Sequence, residues 1–279
     1  MKKHVFLLLS ILMGLWGIVF AYEPSSWEHE ELTQLKLQLN TLIEKDNISL
    51  WSLYQQARDL HPYFSDEKTA YYLEHLRDFL LTKLQSRKAT AKFESEQVKK
   101  DFLSTYQGSW LSNAEALSEN CYGRYQTLDN LSFSYDFPTA LTIAVWYRES
   151  NCGCYLPKNG DGPFQIVSKD YGNGPITKTI FETTIKDFLA FSKKKIERYN
   201  GKNPNTPINL SYQNLNYQDL YKFAGLYNGL SGGTIYGEIW PAAPKYFFEK
   251  MPGEFENGKR NGLFLQTLRA LEWELKQNL

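Results

Sequence analysis

The chain has no excess of charge of either sign, because 31 lysine and arginine residues balance 31 aspartate and glutamate residues. A protein that binds nucleic acid through a basic surface needs an excess of cations, so this class of partner is disfavoured. Histidine is scarce as well, and all four histidines lie far upstream of the cysteines: His4, His29, His61 and His75. The sequence therefore offers no Cys/His ligand spacing, and we expect neither a metal nor an organic cofactor.

Cysteine is also rare, with only Cys121, Cys152 and Cys154 present. A bond between Cys152 and Cys154 would be strained because one residue separates them, so we expect Cys121 to pair with one of the two. Closing that loop would stabilise the fold by roughly 3–4 kcal/mol in the chain-entropy model. A metal site and a nucleophilic cysteine are the alternatives. One thiol is expected to stay free.

Long hydrophobic runs are missing after Ala21. At the N-terminus, Lys2 and Lys3 precede an apolar run that ends in Val19-Phe20-Ala21. This pattern predicts a signal peptide over residues 1–21 and an exported protein that is periplasmic, associated with the cell envelope or secreted. The alternative is an uncleaved anchor, although the run is shorter than the roughly 20 residues of a membrane-spanning helix. Contact with a membrane is expected only through this segment.

Residues 22–100 carry leucines at helical spacing and predict a helical hairpin or three-helix unit. His61-Pro62 separates the second helix from the third, and Ser65 or Asp66 is expected to cap the third. Residues 86–100 are polar and suit a linker or an exposed helix, which places the domain boundary near residue 100. We interpret this unit as a packing module or spacer, and an envelope protein partner would bind to its helices.

Residues 101–279 are rich in aromatic side chains, which make up 15% of the whole chain. A helix capped by Asp136, with Pro138 in its first turn, is predicted to run to Glu149 and to be buried because it is apolar nearly all round. Further helices are expected over residues 180–199, 220–227 and 263–276. Between the helix that ends at Glu149 and the helix over residues 180–199, a Gly-rich segment suggests a short irregular β-hairpin. The run Lys193-Lys194-Lys195 is interpreted as a solvated helix face.

Glu149 closes this apolar helix, and Val145 and Trp146 share its face. A carboxyl group beside such side chains is partly desolvated, which raises its pKa and suits general-acid catalysis near neutral pH. The alternative is an exposed glutamate paired with Arg148.

Three short segments occur in one order: Glu149-Ser150, Gly162-Pro163-Phe164-Gln165 and Tyr227-Asn228-Gly229. Over roughly residues 120–250 this series resembles the goose-type lysozymes and soluble lytic transglycosylases of glycoside hydrolase family 23. The resemblance implies a mainly α fold, specifically an α+β lysozyme-like domain with a small irregular β-hairpin. It also implies an enzyme that cleaves β-1,4 links after N-acetylmuramic acid (MurNAc) in peptidoglycan glycan strands.

By position, Glu149 resembles the catalytic acid of the family, and the substrate-binding residues implied are Ser150, Gly162, Phe164, Gln165, Tyr227 and Asn228. Tyr227 would orient the Glu149 carboxyl group. Pro163 and Phe164 depart from the usual Leu and Met, and the serine common ahead of the hairpin is missing.

The leading hypothesis is an exported lytic transglycosylase that acts through Glu149, and two alternatives stay open. A lytic transglycosylase needs a single acid, whereas a hydrolytic lysozyme needs a second carboxylate, for which Asp161 or Asp170 would serve. A non-catalytic protein that binds peptidoglycan or scaffolds the envelope is the third reading. Tyr236 and Trp240 are the aromatic side chains that we expect to stack on sugars.

Overall fold

A computed structural model describes residues 27–42, 46–106, 117, 119–156, 160–166, 170–172, 177–227 and 263–277. The described helices are α1 (Trp27–Leu42), α2 (Asn47–Leu60), a 3-10 turn (His61–Tyr63), α3 (Glu67–Tyr106), α4 (Glu119–Tyr122), α5 (Tyr125–Ser134), α6 (Thr139–Ser150), α7 (Lys178–Lys202), α8 (Tyr217–Gly225) and α9 (Leu263–Gln277). Of the described residues 78% are helical, so the mainly α prediction holds.

The chain forms two compact units, Met1–Leu84 and Gln85–Leu279, and the division falls inside α3. The sequence places the boundary near residue 100, within the same helix. The expected signal peptide, residues 1–21, lies outside the described residues. In the part of the chain that is described, no helix is both long enough and apolar enough to cross a membrane.

The first unit is built from helices that bury one leucine stripe each. In α1 the buried stripe is Leu32, Leu35 and Leu39, at the spacing of one helix face. Asp46 caps α2, because its carboxylate accepts a hydrogen bond from the Ser49 amide at 2.8 Å. Asp66 likewise accepts from the Thr69 amide at 2.9 Å, which confirms it as the cap of α3.

In the second unit, α6 is the central helix. It packs against α9, α5 and α4, and every residue from Thr139 to Trp146 is buried. This confirms the prediction of a helix that is apolar nearly all round. The predicted cap is wrong, however: Pro138 occupies the cap position, and the Asp136 carboxylate instead accepts from the Tyr212 amide at 3.0 Å.

The α+β prediction with its β-hairpin is wrong, because the described residues contain no strand, and these include residues 155–156 and 160–166 of the predicted hairpin. Residues 160–166 form consecutive turns, closed by hydrogen bonds from the Gln165 amide to the Gly162 carbonyl and from the Ile166 amide to the Asp161 carbonyl. Gly160, Gly162 and Gln165 all have positive φ angles. Extended strands require negative φ, so these three residues curl the segment into a compact loop.

Candidate active site

Glu149 lies in the last turn of α6, and its side chain is half-buried. Burial raises the pKa of the Glu149 carboxyl group above its ordinary value, and the neighbouring charge of Arg148 offsets only part of this rise. A carboxyl group in this setting holds its proton at a higher pH than an exposed glutamate does. It has the character that a general acid requires.

The chain directly after Glu149 forms a hydrogen-bonded turn. The Ser150 hydroxyl donates to the Trp146 carbonyl at 3.2 Å and accepts from the Gly153 amide at 2.9 Å. Asn151, Cys152 and Gly153 all adopt left-handed backbone conformations, which turn the chain back at the end of α6. The Ser150 side chain is buried and occupied by this turn, so its predicted contact with substrate stays a prediction.

A disulfide bond joins Cys121 of α4 to Cys152 in this turn. The structure thus confirms that Cys121 pairs with one of the two neighbouring cysteines, and it selects Cys152. Cys154 is a free, exposed thiol whose sulfur accepts a hydrogen bond from the Asn120 side chain at 2.9 Å. Among the described residues, no group of three histidine, cysteine, aspartate or glutamate side chains could hold a metal ion.

The second predicted segment reaches the end of α6 through Gln165. Its side-chain amide donates to the backbone carbonyl of Glu149. Gln165 is exposed, whereas Gly162 and Phe164 beside it are buried. The loop therefore binds the backbone of Glu149, and this hydrogen bond does not involve the Glu149 carboxyl group.

Tyr227, from the third predicted segment, joins the loop from the other side. Its hydroxyl donates to the Phe164 carbonyl at 2.8 Å. Burial raises the pKa of Tyr227 well above its ordinary value, and the charge of Glu149 raises it further, so the phenol stays neutral. Because the single phenol proton is used on Phe164, Tyr227 can meet the Glu149 carboxyl group only as an acceptor; its orienting role stays a prediction.

One face of α7 supports both segments. The ring of Phe188 stacks on Phe164 with 4.7 Å between centroids and meets Tyr227 edge-on at 5.8 Å. The carboxylate of Asp187 accepts from the Tyr171 hydroxyl at 2.8 Å. The buried Phe164 ring is thus part of the support for the loop, and only its backbone carbonyl takes part in the polar contacts described here.

The interpretation of the lysine run as a solvated face is wrong for Lys195. Lys194 is exposed, but the Lys195 ammonium group donates to the Leu226 carbonyl at 2.8 Å. Desolvation lowers the pKa of Lys195 to about 8. The sequence held one signal for this contact: Lys195 follows Phe188 by seven residues, which places both on one helix face.

The two candidates for a second carboxylate lie in turns. Asp170 accepts from the Gly172 amide at 2.8 Å, a contact that serves backbone geometry. Asp161 is buried, and its carbonyl accepts from the Ile166 amide. The roles of both in a hydrolytic reaction stay predictions. Asn228, Tyr236 and Trp240 lie outside the described residues.

In the described part of the mainly α-helical second unit, the desolvated carboxyl group of Glu149 thus lies at the end of α6, beside a hydrogen-bonded turn, a Gly-rich loop and Tyr227. No family model matches the chain, and the comparisons with curated proteins and with solved structures also gave no match.

Proposed function

We propose that this chain is an exported peptidoglycan lytic transglycosylase that cleaves the β-1,4 link between MurNAc and N-acetylglucosamine (GlcNAc) through Glu149. The observation that supports the proposal is the convergence of three segments that are distant in sequence. Gln165 binds the Glu149 backbone, and Tyr227 binds the Phe164 carbonyl next to Gln165. The same segments carry the resemblance to family 23 of the glycoside hydrolases.

The chemistry needs only one carboxyl group. Protonated Glu149 donates its proton to the glycosidic oxygen, the bond from C1 of MurNAc to that oxygen breaks, and GlcNAc leaves with a free hydroxyl. The resulting carboxylate then takes the proton of the MurNAc 6-hydroxyl while O6 bonds to C1, which closes a 1,6-anhydro ring and restores the acid. The raised pKa of Glu149 supports the first step, since the acid must be protonated when substrate arrives.

Export is supported by the disulfide bond between Cys121 and Cys152. Disulfide bonds form and persist in oxidising compartments outside the cytoplasm. The glycan strands of peptidoglycan are the proposed substrate, and they are met in such a compartment. An envelope protein partner for the N-terminal helices belongs to the same proposal.

The test replaces Glu149 by glutamine, which keeps the shape of the side chain and removes the acid. We expect Glu149→Gln to lower the rate of muropeptide release by about 10²–10⁴-fold with an unchanged melting temperature. Glu197→Gln, an exposed site on α7, is the matched control and should behave as wild type. Release by Glu149→Gln at the wild-type rate would refute the proposal.

Mass spectrometry of the products separates the mechanisms. Anhydro-muropeptides are lighter by one water than reducing-end products, and we expect them to be the main products of the wild-type chain. Reducing-end products alone would indicate a hydrolase, for which Asp161 is the next residue to change. Retention on peptidoglycan without cleavage would indicate a binding or scaffolding protein.

The rate should also depend on pH in a defined direction. Since burial raises the pKa of Glu149, the protonated acid persists above the pH at which an exposed glutamate ionises. We expect kcat/KM to fall as the pH rises through this raised pKa, and to stay high at a pH where an unperturbed carboxyl group of pKa about 4.3 is already ionised. If kcat/KM instead falls as the pH rises through the unperturbed pKa of about 4.3, Glu149 is not a desolvated acid.

A further inference from the structure

Lys195 is a charged side chain that the proposed chemistry does not use, yet it is partly withdrawn from solvent beside the site. Its ammonium group lies 4.3 Å from the centroid of the Phe191 ring on the same helix. The ammonium nitrogen donates to the Leu226 carbonyl at 2.8 Å and lies 3.5 Å from the Tyr227 carbonyl. These two carbonyls follow directly after Gly225, where α8 ends.

Lys195 lies beside the C-terminal end of α8. The aligned peptide dipoles of a helix concentrate negative potential at its C-terminal end, which favours a cation there. Desolvation lowers the pKa of Lys195 to about 8, so the side chain still carries its charge at neutral pH. A charged donor to these carbonyls binds more strongly than a neutral one.

The contacts of Lys195 continue to the acid in three steps. Lys195 holds the backbone of Leu226 and Tyr227. The Tyr227 hydroxyl then donates to the Phe164 carbonyl, and the next residue, Gln165, donates to the Glu149 carbonyl. The chain of contacts therefore runs from an ammonium group on α7 to the last turn of α6.

We propose that Lys195 is a positioning residue: by binding the carbonyls that follow α8, it fixes Tyr227 on the Phe164 carbonyl and thereby holds the loop that Gln165 anchors to Glu149. The role in turnover rests on the proposed function. Lys195 itself does not touch the reacting atoms. It acts by keeping the loop and the Glu149 carboxyl group in a fixed relative geometry. Misplacement of a supporting group reduces the rate of catalysis.

The test compares Lys195→Met with Lys194→Met, because both remove one charge from adjacent positions of α7, and Lys195→Met also removes the hydrogen bond to the Leu226 carbonyl. We expect Lys195→Met to lower kcat about tenfold, with KM changed by no more than about twofold, because the loop is misplaced while the proposed substrate-binding side chains are unchanged. Lys194→Met should match wild type. Lys195→Arg restores a permanent cation and should recover most of the rate.

A readout without turnover separates this proposal from the proposed function. In protein labelled with ¹³C at the tyrosine ring carbon that bears the hydroxyl, the Tyr227 signal is assigned by its loss in Tyr227→Phe. We expect Lys195→Met to shift this signal and Lys194→Met to leave it in place. If the wild-type chain does not cleave peptidoglycan but Lys195→Met still shifts the Tyr227 signal, the proposed enzymatic function is refuted and the positioning role is retained.

Three results would overturn the positioning role. One is an unmoved Tyr227 signal in Lys195→Met, and another is an equal loss of rate in both methionine variants. If Lys195→Met does not fold, Lys195→Gln, which keeps an N–H donor without the charge, is measured instead. A Lys195→Gln chain with wild-type rate and Tyr227 signal would be the third contrary result, since a neutral donor is weaker than the ammonium group.

Discussion

At the scale of single residues, two glycines near the site have the same backbone conformation in different surroundings. Gly162 has a φ of +72°, and a Cβ added there would lie 2.5 Å from the Tyr171 ring. Gly172 has a φ of +73°, with nothing within 4 Å of an added Cβ. The Tyr171 ring cannot easily move aside, because its hydroxyl is bound to Asp187 at 2.8 Å. An alanine at Gly172 therefore adds backbone strain alone, whereas an alanine at Gly162 adds the same strain and a steric overlap with Tyr171.

We expect Gly172→Ala to lower the free energy of unfolding by about 1 kcal/mol, the cost of a left-handed alanine. Gly162→Ala should cost about 1–3 kcal/mol more, because the added methyl group overlaps the Tyr171 ring. Urea unfolding of both variants measures the difference. Peptidoglycan cleavage should fall only in Gly162→Ala, in which the loop that carries Gln165 is displaced. Equal destabilisation by both alanines would show that the contact with Tyr171 carries no energy.

At the scale of elements, the start of α3 is held by a carboxylate from α1. One Glu28 oxygen accepts from the Ser65 amide at 2.9 Å and from the Ser65 hydroxyl at 2.8 Å. The other accepts from the Asp66 amide at 3.0 Å and the Thr69 hydroxyl at 2.8 Å. A negative group at the first turn satisfies unpaired amides and complements the helix dipole. These hydrogen bonds, opposed by desolvation, lower the pKa of Glu28 to about 2.

The lowered pKa gives the first unit a defined response to acid. A carboxylate whose folded pKa lies below its unfolded value of 4.5 stabilises the fold fully above pH 4.5, and this stability is lost as the pH falls toward 2. We expect Glu28→Gln to lower the melting temperature at pH 7 and to flatten its decline between pH 4.5 and 2. Glu31→Gln, at an exposed position of the same helix, should melt as wild type does. A parallel decline in Glu28→Gln and wild type would rule out this cap.

The elements also show what the sequence could and could not reveal. Helix α6 and its burial could be predicted because its apolar character is a local pattern. The turns over residues 160–166 could not, because a Gly-rich segment fits a hairpin as well as a compact loop, and the positive φ of Gln165 is not visible in the sequence. The contacts of Lys195 could not be predicted for a different reason: its partners, Leu226 and Tyr227, lie about thirty residues downstream. The seven-residue spacing from Phe188 places Lys195 on the same face of α7, but it does not identify those partners.

Opposite charges, which balance in the composition of the chain, also pair inside the second unit. Asp129 of α5 is fully buried, and its carboxylate pairs with the ammonium groups of Lys88 and Lys92 on α3. Its other oxygen accepts from the hydroxyls of Thr139 and Tyr212, each at 2.9 Å. Burial opposes the charge on Asp129, but the two lysines outweigh it, so the pKa of Asp129 lies below its usual range.

A second buried carboxylate extends this network to α9. Glu274 accepts from the Tyr125 hydroxyl at 3.3 Å and pairs with Lys99 at 3.3 Å. Here burial outweighs the attraction of Lys99, and the pKa of Glu274 is raised. The part of α3 after residue 84 is thus bound to α5 and α9 by ion pairs between residues far apart in sequence. Assembly of the second unit depends on these pairs because an unpaired charge inside it would be costly.

Removing the charge of Asp129 tests this dependence. Asp129→Asn keeps an oxygen for Thr139 and Tyr212 but leaves the Lys88 and Lys92 ammonium groups without a counter-charge, and we expect it to lower the free energy of unfolding by about 3–5 kcal/mol. Asp101→Asn, an exposed site on α3, should stay within about 0.5 kcal/mol of wild type. Adding Lys88→Met to Asp129→Asn should recover part of the loss, because it removes one uncompensated cation. Losses that simply add in the double variant would mean that Lys88 and Asp129 do not interact, and the network would then be no part of what holds the second unit together.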